Sequence, residues 1–394
     1  MDTRQTAQRG NARKALVSAV LILLGLVVLA LISGPVLNAL GLPVYCIESG
    51  AGRLRLVRCG GDAAAVPLEP GSAPALAVDA QPTLIDTDMA ADDWMAILYL
   101  LNRPDVDVRA ITVTGAGEAH CGPGVQNALN LAALAGRPDI PVSCGRETPL
   151  AGDHVFPPSW RERVDALAGV TIPASTTPPS DLSAAELIAE TARGAGGDLE
   201  IITLGPLTNL AEALLADPAL ADSIEQVFIM GGAFDVPGNL ASTPDMGIEN
   251  SAAEWNIYVD PRAAAVVLES GVPVTFVPLD ACSNVLLDEA FYNRLGGDRA
   301  SPEAEFVYRV LTANFGFVQS GTYYFWDPLT AVLAVDSSLG TFETQPVVVI
   351  QGEGPESGAT RVDEAGRPAQ IAVWADGERF TREFLDTLNG RAGD

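Results

Sequence analysis

Leu84-Ile85-Asp86-Thr87-Asp88-Met89-Ala90-Ala91-Asp92-Asp93 decides the fold, together with the apolar Trp94-Met95-Ala96-Ile97-Leu98-Tyr99-Leu100-Leu101 that follows it. Thr83–Ile85 reads as a strand and Asp92–Leu101 as a helix, with the acids crowded into the turn between them. Strand, turn and helix make the repeating unit of a parallel α/β sheet. Four carboxylates within eight residues repel one another. A chain tolerates such crowding mainly when a cation sits among the acids. Oxygen-only ligands favour a hard ion, Ca²⁺ or Mg²⁺. Asp is a good helix cap and favours the positive helix end, but capping needs one or two of these acids and not all four.

Outward from this turn the alternation continues. Strands are expected at Val108–Val113, Leu199–Leu204, Gln226–Met230 and Val274–Pro278. Helices are expected at Gly122–Leu134, Asp181–Arg193, Leu207–Leu215 and Pro261–Glu269. A late strand pair, Gln345–Gln351 and Gln370–Trp374, precedes a helix over Glu378–Leu388. The pattern predicts an open, mostly parallel but mixed sheet flanked by helices. In such sheets ligands bind at the carboxyl ends of strands, where Asp86, Asp88, Gly205, Gly231 and Asp280 fall.

The chain of 394 residues is 48% hydrophobic and carries a formal net charge of −27. That charge argues against nucleic acid as a partner, because phosphate is repelled. Arg4, Arg9, Arg13 and Lys14 precede an uncharged apolar run, which predicts a transmembrane helix over residues 15–33 with the chain beyond it outside. The expected organisation is a cytoplasmic tail (1–14), this span, a Gly/Pro/Ala-rich tether (34–81) and a catalytic domain (82–394). It makes the protein membrane-anchored with an extracytoplasmic domain, periplasmic or extracellular. Cys46 and Cys59 flank a short basic segment and are spaced to close a small loop. Cys121, Cys144 and Cys282 lie inside the folded region, where simple core packing competes with pairing.

Further constellations lie downstream. Gly205-Pro206-Leu207-Thr208-Asn209 follows a strand, with Thr208 placed to cap a helix. Met230-Gly231-Gly232 allows close backbone approach. Glu254-Trp255-Asn256-Ile257-Tyr258-Val259-Asp260-Pro261 reads as extended, with Glu254 and Asn256 on one side. Asp327 closes the aromatic run Tyr323-Tyr324-Phe325-Trp326. It is either a buried acid that needs a partner or an N-cap ahead of Pro328. His120 and His154 both fall in loops.

These motifs, in this order over about residues 82–390, resemble the inosine-uridine-preferring nucleoside hydrolases. The resemblance implies a nucleoside-hydrolase-like fold, a Ca²⁺ cofactor, a ribonucleoside substrate, hydrolysis of the N-glycosidic bond, and homo-oligomers. It casts Asp88, Asp93, Asp327 and the Leu204 carbonyl as metal ligands, with Asp88 also the general base. Asp92, Glu254 and Asn256 are cast as ribose holders, Asn239 as the group near the 5′-hydroxyl, and Asp86 as support. Three departures stand out. Met89-Ala90 replaces the usual Pro-Gly, Glu118 replaces an Asn, and Trp326 replaces the His associated with protonating the leaving base. Either Trp326 stacks on the base instead, or another acid, His120, Glu118 or His154, substitutes. Two rivals remain. A phosphohydrolase built on Asp86 and Asp88 leaves Asp92-Asp93 unexplained, and a membrane-tethered nucleoside-binding protein without catalysis leaves Asp88 without a task.

Overall fold

The computed structural model describes residues 45–50, 53–58, 68–242 and 246–392. The chain divides into two units, Met1–Val66 and Pro67–Asp394. The first contains an antiparallel hairpin of β1 (Tyr45–Gly50) and β2 (Arg53–Arg58), with Tyr45 opposite Arg58. The expected span at 15–33 and Cys59 both lie outside the described residues. Among the described residues no helix is long and apolar enough to cross a membrane.

The second unit is built on one nine-stranded sheet. Its strands are β3 (Gln81–Thr87), β4 (Val106–Val113), β5 (Val142–Cys144), β6 (Leu199–Thr203), β7 (Ile224–Met230), β8 (Val274–Val277), β9 (Gly340–Val349), β10 (Thr360–Val362) and β11 (Arg367–Ala375). Their spatial order is β10-β9-β11-β8-β7-β6-β3-β4-β5. From β11 through β8, β7, β6, β3 and β4 to β5 every pairing is parallel, and β9 runs antiparallel to both β10 and β11. The fold is therefore the expected α/β class, with a mostly parallel, mixed sheet.

Successive strand residues face opposite sides of a sheet. Leu84, Ala110, Ile201, Val227 and Ile229 accordingly pack in one apolar cluster, with helices 184–195, 208–216 and 261–269. Their neighbours Ile85, Ile111, Ile202, Phe228 and Met230 pack in another, with helices 91–101, 121–134, 302–313, 326–335 and 377–388. Helices thus cover both faces, and that burial explains why the central strands are apolar throughout rather than alternating.

The topology also places the site. The chain leaves β3 for β4 and β5 on one side, then returns to β6 on the other. The carboxyl end of β3 is thus the topological switch point, the place where ligands bind in such sheets.

The folded unit begins earlier than the expected tether boundary. Leu68 is buried, the Gly71 amide donates to the Leu134 carbonyl (2.6 Å), and the Ala77 amide to that of Pro104 (2.7 Å). An apolar anchor and backbone hydrogen bonds attach this stretch to the domain despite its linker-like composition.

Candidate active site

The acidic turn is assembled around Asp93. Its Oδ1 accepts from the amides of Asp88 (3.1 Å) and Met89 (3.2 Å) and from the Thr87 hydroxyl. The Met89 amide also donates to Thr87 Oγ1 (2.9 Å). Met89 takes a left-handed backbone, φ 62°, which is strained for a residue with a long side chain. Its burial in the core and the Trp94 indole, which donates to its carbonyl (2.8 Å), hold it there.

Asp86, near the end of β3, accepts from Thr112 (2.7 Å) and from the Asn209 amide group (2.8 Å) through Oδ1. Asn209 is thus a support for Asp86, a role that its Gly-Pro-Leu-Thr-Asn context does not announce. Thr208 does not cap its helix. Its hydroxyl donates to Asp260 (2.8 Å), and Leu207 occupies the cap position without a side-chain bond.

Asp88 is wedged between two glycines. A Cβ on Gly117 would lie 2.1 Å from Asp88 Cβ, and one on Gly205 2.6 Å from it. Its carboxylate accepts from the amides of Glu118 (3.1 Å) and Ala90 (3.3 Å). Asp92, Asp93 and Asp327 are buried, and one carboxylate oxygen from each lies within 4.8 Å of the others. Asp93 Oδ2 and Asp327 Oδ1 have no hydrogen-bond partner. Asp92 thus joins Asp93 and Asp327 in a converging trio, with Asp88 next to it through its amide bond to Asp93 (3.1 Å). Asp327 lies inside the first turn of helix Trp326–Val335, whose cap position is Phe325, so it is not the N-cap.

The segment after Glu254 is not extended. Trp255–Val259 is a short helix, and Glu254 is its N-cap, accepting from the amides of Asn256 (2.8 Å) and Ile257 (3.2 Å) and from Gly232 (3.2 Å). The strand-forming residues of this stretch are overruled by that cap and by Asp260, which caps the following helix through Ala263. Asn256 donates to the carbonyls of Leu204 (3.0 Å) and Met230 (3.2 Å), so it ties together the ends of β6 and β7. Asn239 accepts from the Trp255 amide (3.1 Å) and so joins the same corner.

Burial dominates the electrostatics. Desolvation pushes Asp86, Asp88 and Glu254 up to about 7. It drives Asp93, Asp327 and Glu118 well above the usual carboxylate range, and mutual repulsion adds to the shift. Asp92 is raised as well, and the Tyr323 hydroxyl donates to it (3.3 Å). Nothing in the sequence marks Tyr323 beyond its place in the aromatic run. Buried acids pushed this far toward neutrality, with oxygens left unpartnered, form a donor set that fits a hard cation.

Trp326 packs edge-on against Tyr323 at 4.8 Å, and Tyr323 stacks on Phe317, also at 4.8 Å. An aromatic rim thus borders the acids. Neither histidine contacts an acid of the cluster. His154 stacks on Tyr258 at 4.0 Å, with Nδ1 2.7 Å from the Tyr258 carbonyl oxygen and Nε2 3.3 Å from Glu353. His120 is exposed and bonds Asp165 (2.7 Å).

The inosine-uridine preferring nucleoside hydrolase family model matches residues 83–382. The chain is 30% identical to a probable uridine nucleosidase 2 of Arabidopsis thaliana, over 79% of this chain and 98% of the relative. It is 33% identical to the pyrimidine-specific ribonucleoside hydrolase RihA of Escherichia coli, with the same coverage. Among solved structures, a plant nucleoside hydrolase superposes with TM-score 0.70 at 32% identity, over 78% of this chain and 99% of that one. These matches correct the expected membrane anchor and extracytoplasmic placement. The relatives are matched along 98% of their own length while about a fifth of this chain stays outside the match. Fold, acidic crevice and relatives agree: the chain belongs to the inosine-uridine preferring nucleoside hydrolase family and is a nucleoside N-glycosyl hydrolase.

Proposed function

We propose that this protein hydrolyses the N-glycosidic bond of ribonucleosides to base and ribose, with Ca²⁺ in the acidic cluster. The observation that carries the reading is the buried convergence of Asp92, Asp93 and Asp327 with carboxylate oxygens left unpaired. Asp93 and Asp327 would hold the ion, with Asp88 and the Leu204 carbonyl beside them. When bound, Ca²⁺ supplies charge that acidifies a water and orients it.

Asp88 takes the proton from the attacking water. Its position against Gly117 and Gly205 leaves the carboxylate little freedom, which suits a group that must act in one geometry. Asp92, Glu254 and Asn256 hold the ribose hydroxyls, and Asn239 lies nearest the 5′ end. As the base departs, positive charge builds on the ribosyl ring, and the surrounding carboxylates stabilise it. Trp326 stacks on the base, and the half-buried Glu118, pushed toward its neutral form, supports the leaving group.

The test is release of free base, scored by chromatography, from a panel of purine and pyrimidine ribonucleosides with Ca²⁺ and after chelation. The reading requires chelator-sensitive release that is lost in Asp88→Ala. Binding without release from any member of the panel would refute it.

A further inference from the structure

We propose that the disulfide between Cys121 and Cys144 is a positioning element for the hydrolysis, fixing the loop over residues 114–121 whose amides hold Asp88. The inference rests on the hydrolase reading above. The loop leaves β4 and lies directly on Asp88. The Thr114 amide donates to the Thr87 carbonyl (2.8 Å), the Glu118 amide to Asp88 Oδ2 (3.1 Å) and the Ala119 amide to the Asp88 carbonyl (2.9 Å). Two residues later Cys121 is bonded to Cys144, with a Cα–Cα distance of 5.7 Å.

The other end of the bridge reaches the site by a separate route. Cys144 ends β5, an edge strand of only three residues. The next residue, Gly145, donates to the Val113 carbonyl (2.9 Å) and lies so close to Asn209 that a Cβ would fall 1.8 Å from its Oδ1. Asn209 in turn donates to Asp86 (2.8 Å). The bridge therefore joins the loop that holds Asp88 to the strand end that backs Asp86. Arg161 holds the same loop from the other side, through the carbonyls of Gly115 (2.9 Å) and Ala119 (3.2 Å). A three-residue edge strand has few bonds of its own to resist opening, and the cross-link removes that freedom.

The experiment compares the full chain with the double variant Cys121→Ser/Cys144→Ser, by steady-state kinetics and by amide hydrogen exchange, well below the melting temperature. The expected result is a fall in kcat of about 10- to 100-fold with KM unchanged. Exchange protection at Glu118 and Ala119 is lost while that of helix 208–216 is kept. Should the double variant not fold, the parent is measured before and after a phosphine reductant, which yields two thiols and phosphine oxide. Reoxidation must then restore both readouts. Unchanged kcat with Glu118 and Ala119 still protected would overturn the proposal and leave a bridge that only raises the melting temperature. If the parent releases no base from any ribonucleoside, the hydrolase reading fails, and amide exchange alone decides whether the bridge holds the loop.

Discussion

The buried carboxylates gathered around the carboxyl end of β3 and those on the outer surface live under opposite rules. Outside, acids find cations. Arg103 holds Asp105 and Arg193 holds Asp217, each below the usual carboxylate range, and Arg391 bridges Asp298 (2.6 Å) and Asp386 (2.9 Å). Inside, among the described residues, no ion pair reaches Asp86, Asp88, Asp92, Asp93, Glu118, Glu254 or Asp327. The chain has 23 Lys and Arg against 50 Asp and Glu, yet among the described residues the close ion pairs lie away from these buried acids. Burying acids without a protein cation costs stability unless protons or a metal ion compensate. The contrast teaches that the buried cluster could hold a metal ion, since no close ion pair to a protein cation reaches it.

The comparison can be broken most sharply at Asp88. Asp88→Ala should lower kcat for base release by about 10³-fold or more, since it removes the base from a site arranged around it. A fall under tenfold would mean that Asp88 only holds its loop. Chelation comes next. Stripped protein should be inactive and melt lower, and Ca²⁺ near 100 times its Kd should restore about 2.7 kcal/mol; calorimetry in the two states checks this. Trp326→Ala should change kcat/KM by about tenfold, unequally for purine and pyrimidine nucleosides, if its ring stacks on the base.

The pH dependence of the metal-free protein sharpens the same contrast. Asp86 and Asp88 titrate near 7 when folded and near 3.8 when unfolded. Between those values the folded chain holds more protons, so stability falls as pH rises through the window. Melting curves without metal should therefore drop from pH 5 to pH 7.5, and Ca²⁺ should raise the melting temperature more at the upper pH. The smallest effect belongs to the outer surface. Arg391→Ala should cost less than about 1 kcal/mol, read by denaturant melts, and leave base release untouched.

Much of this contrast is legible in the chain, for physical reasons that also mark its limits. The β3 turn announces itself because apolar strand, clustered acids and apolar helix are local signals. Asp327 is legible because an acid within an aromatic run demands a partner. The helix at 255–259 is not, because Trp, Ile, Tyr and Val favour strands and only the folded position of Glu254 supplies the cap. The Cys121–Cys144 pair is equally hidden, since spacing alone does not choose among five cysteines. The left-handed turn at Met89 is hidden too, because the residue type argues against that conformation. The departure of His154 from the acids is likewise tertiary, set by its stacking on Tyr258.

The most direct test of the central claim is Ca²⁺ binding to the chelator-stripped full chain, measured by titration calorimetry beside Asp93→Asn and Asp327→Asn. A single saturable site in the parent, lost in both variants while their circular dichroism is unchanged, is the predicted result. No binding in the parent, or equal binding in all three proteins, would contradict the claim that the converging acids Asp92, Asp93 and Asp327 hold a cation.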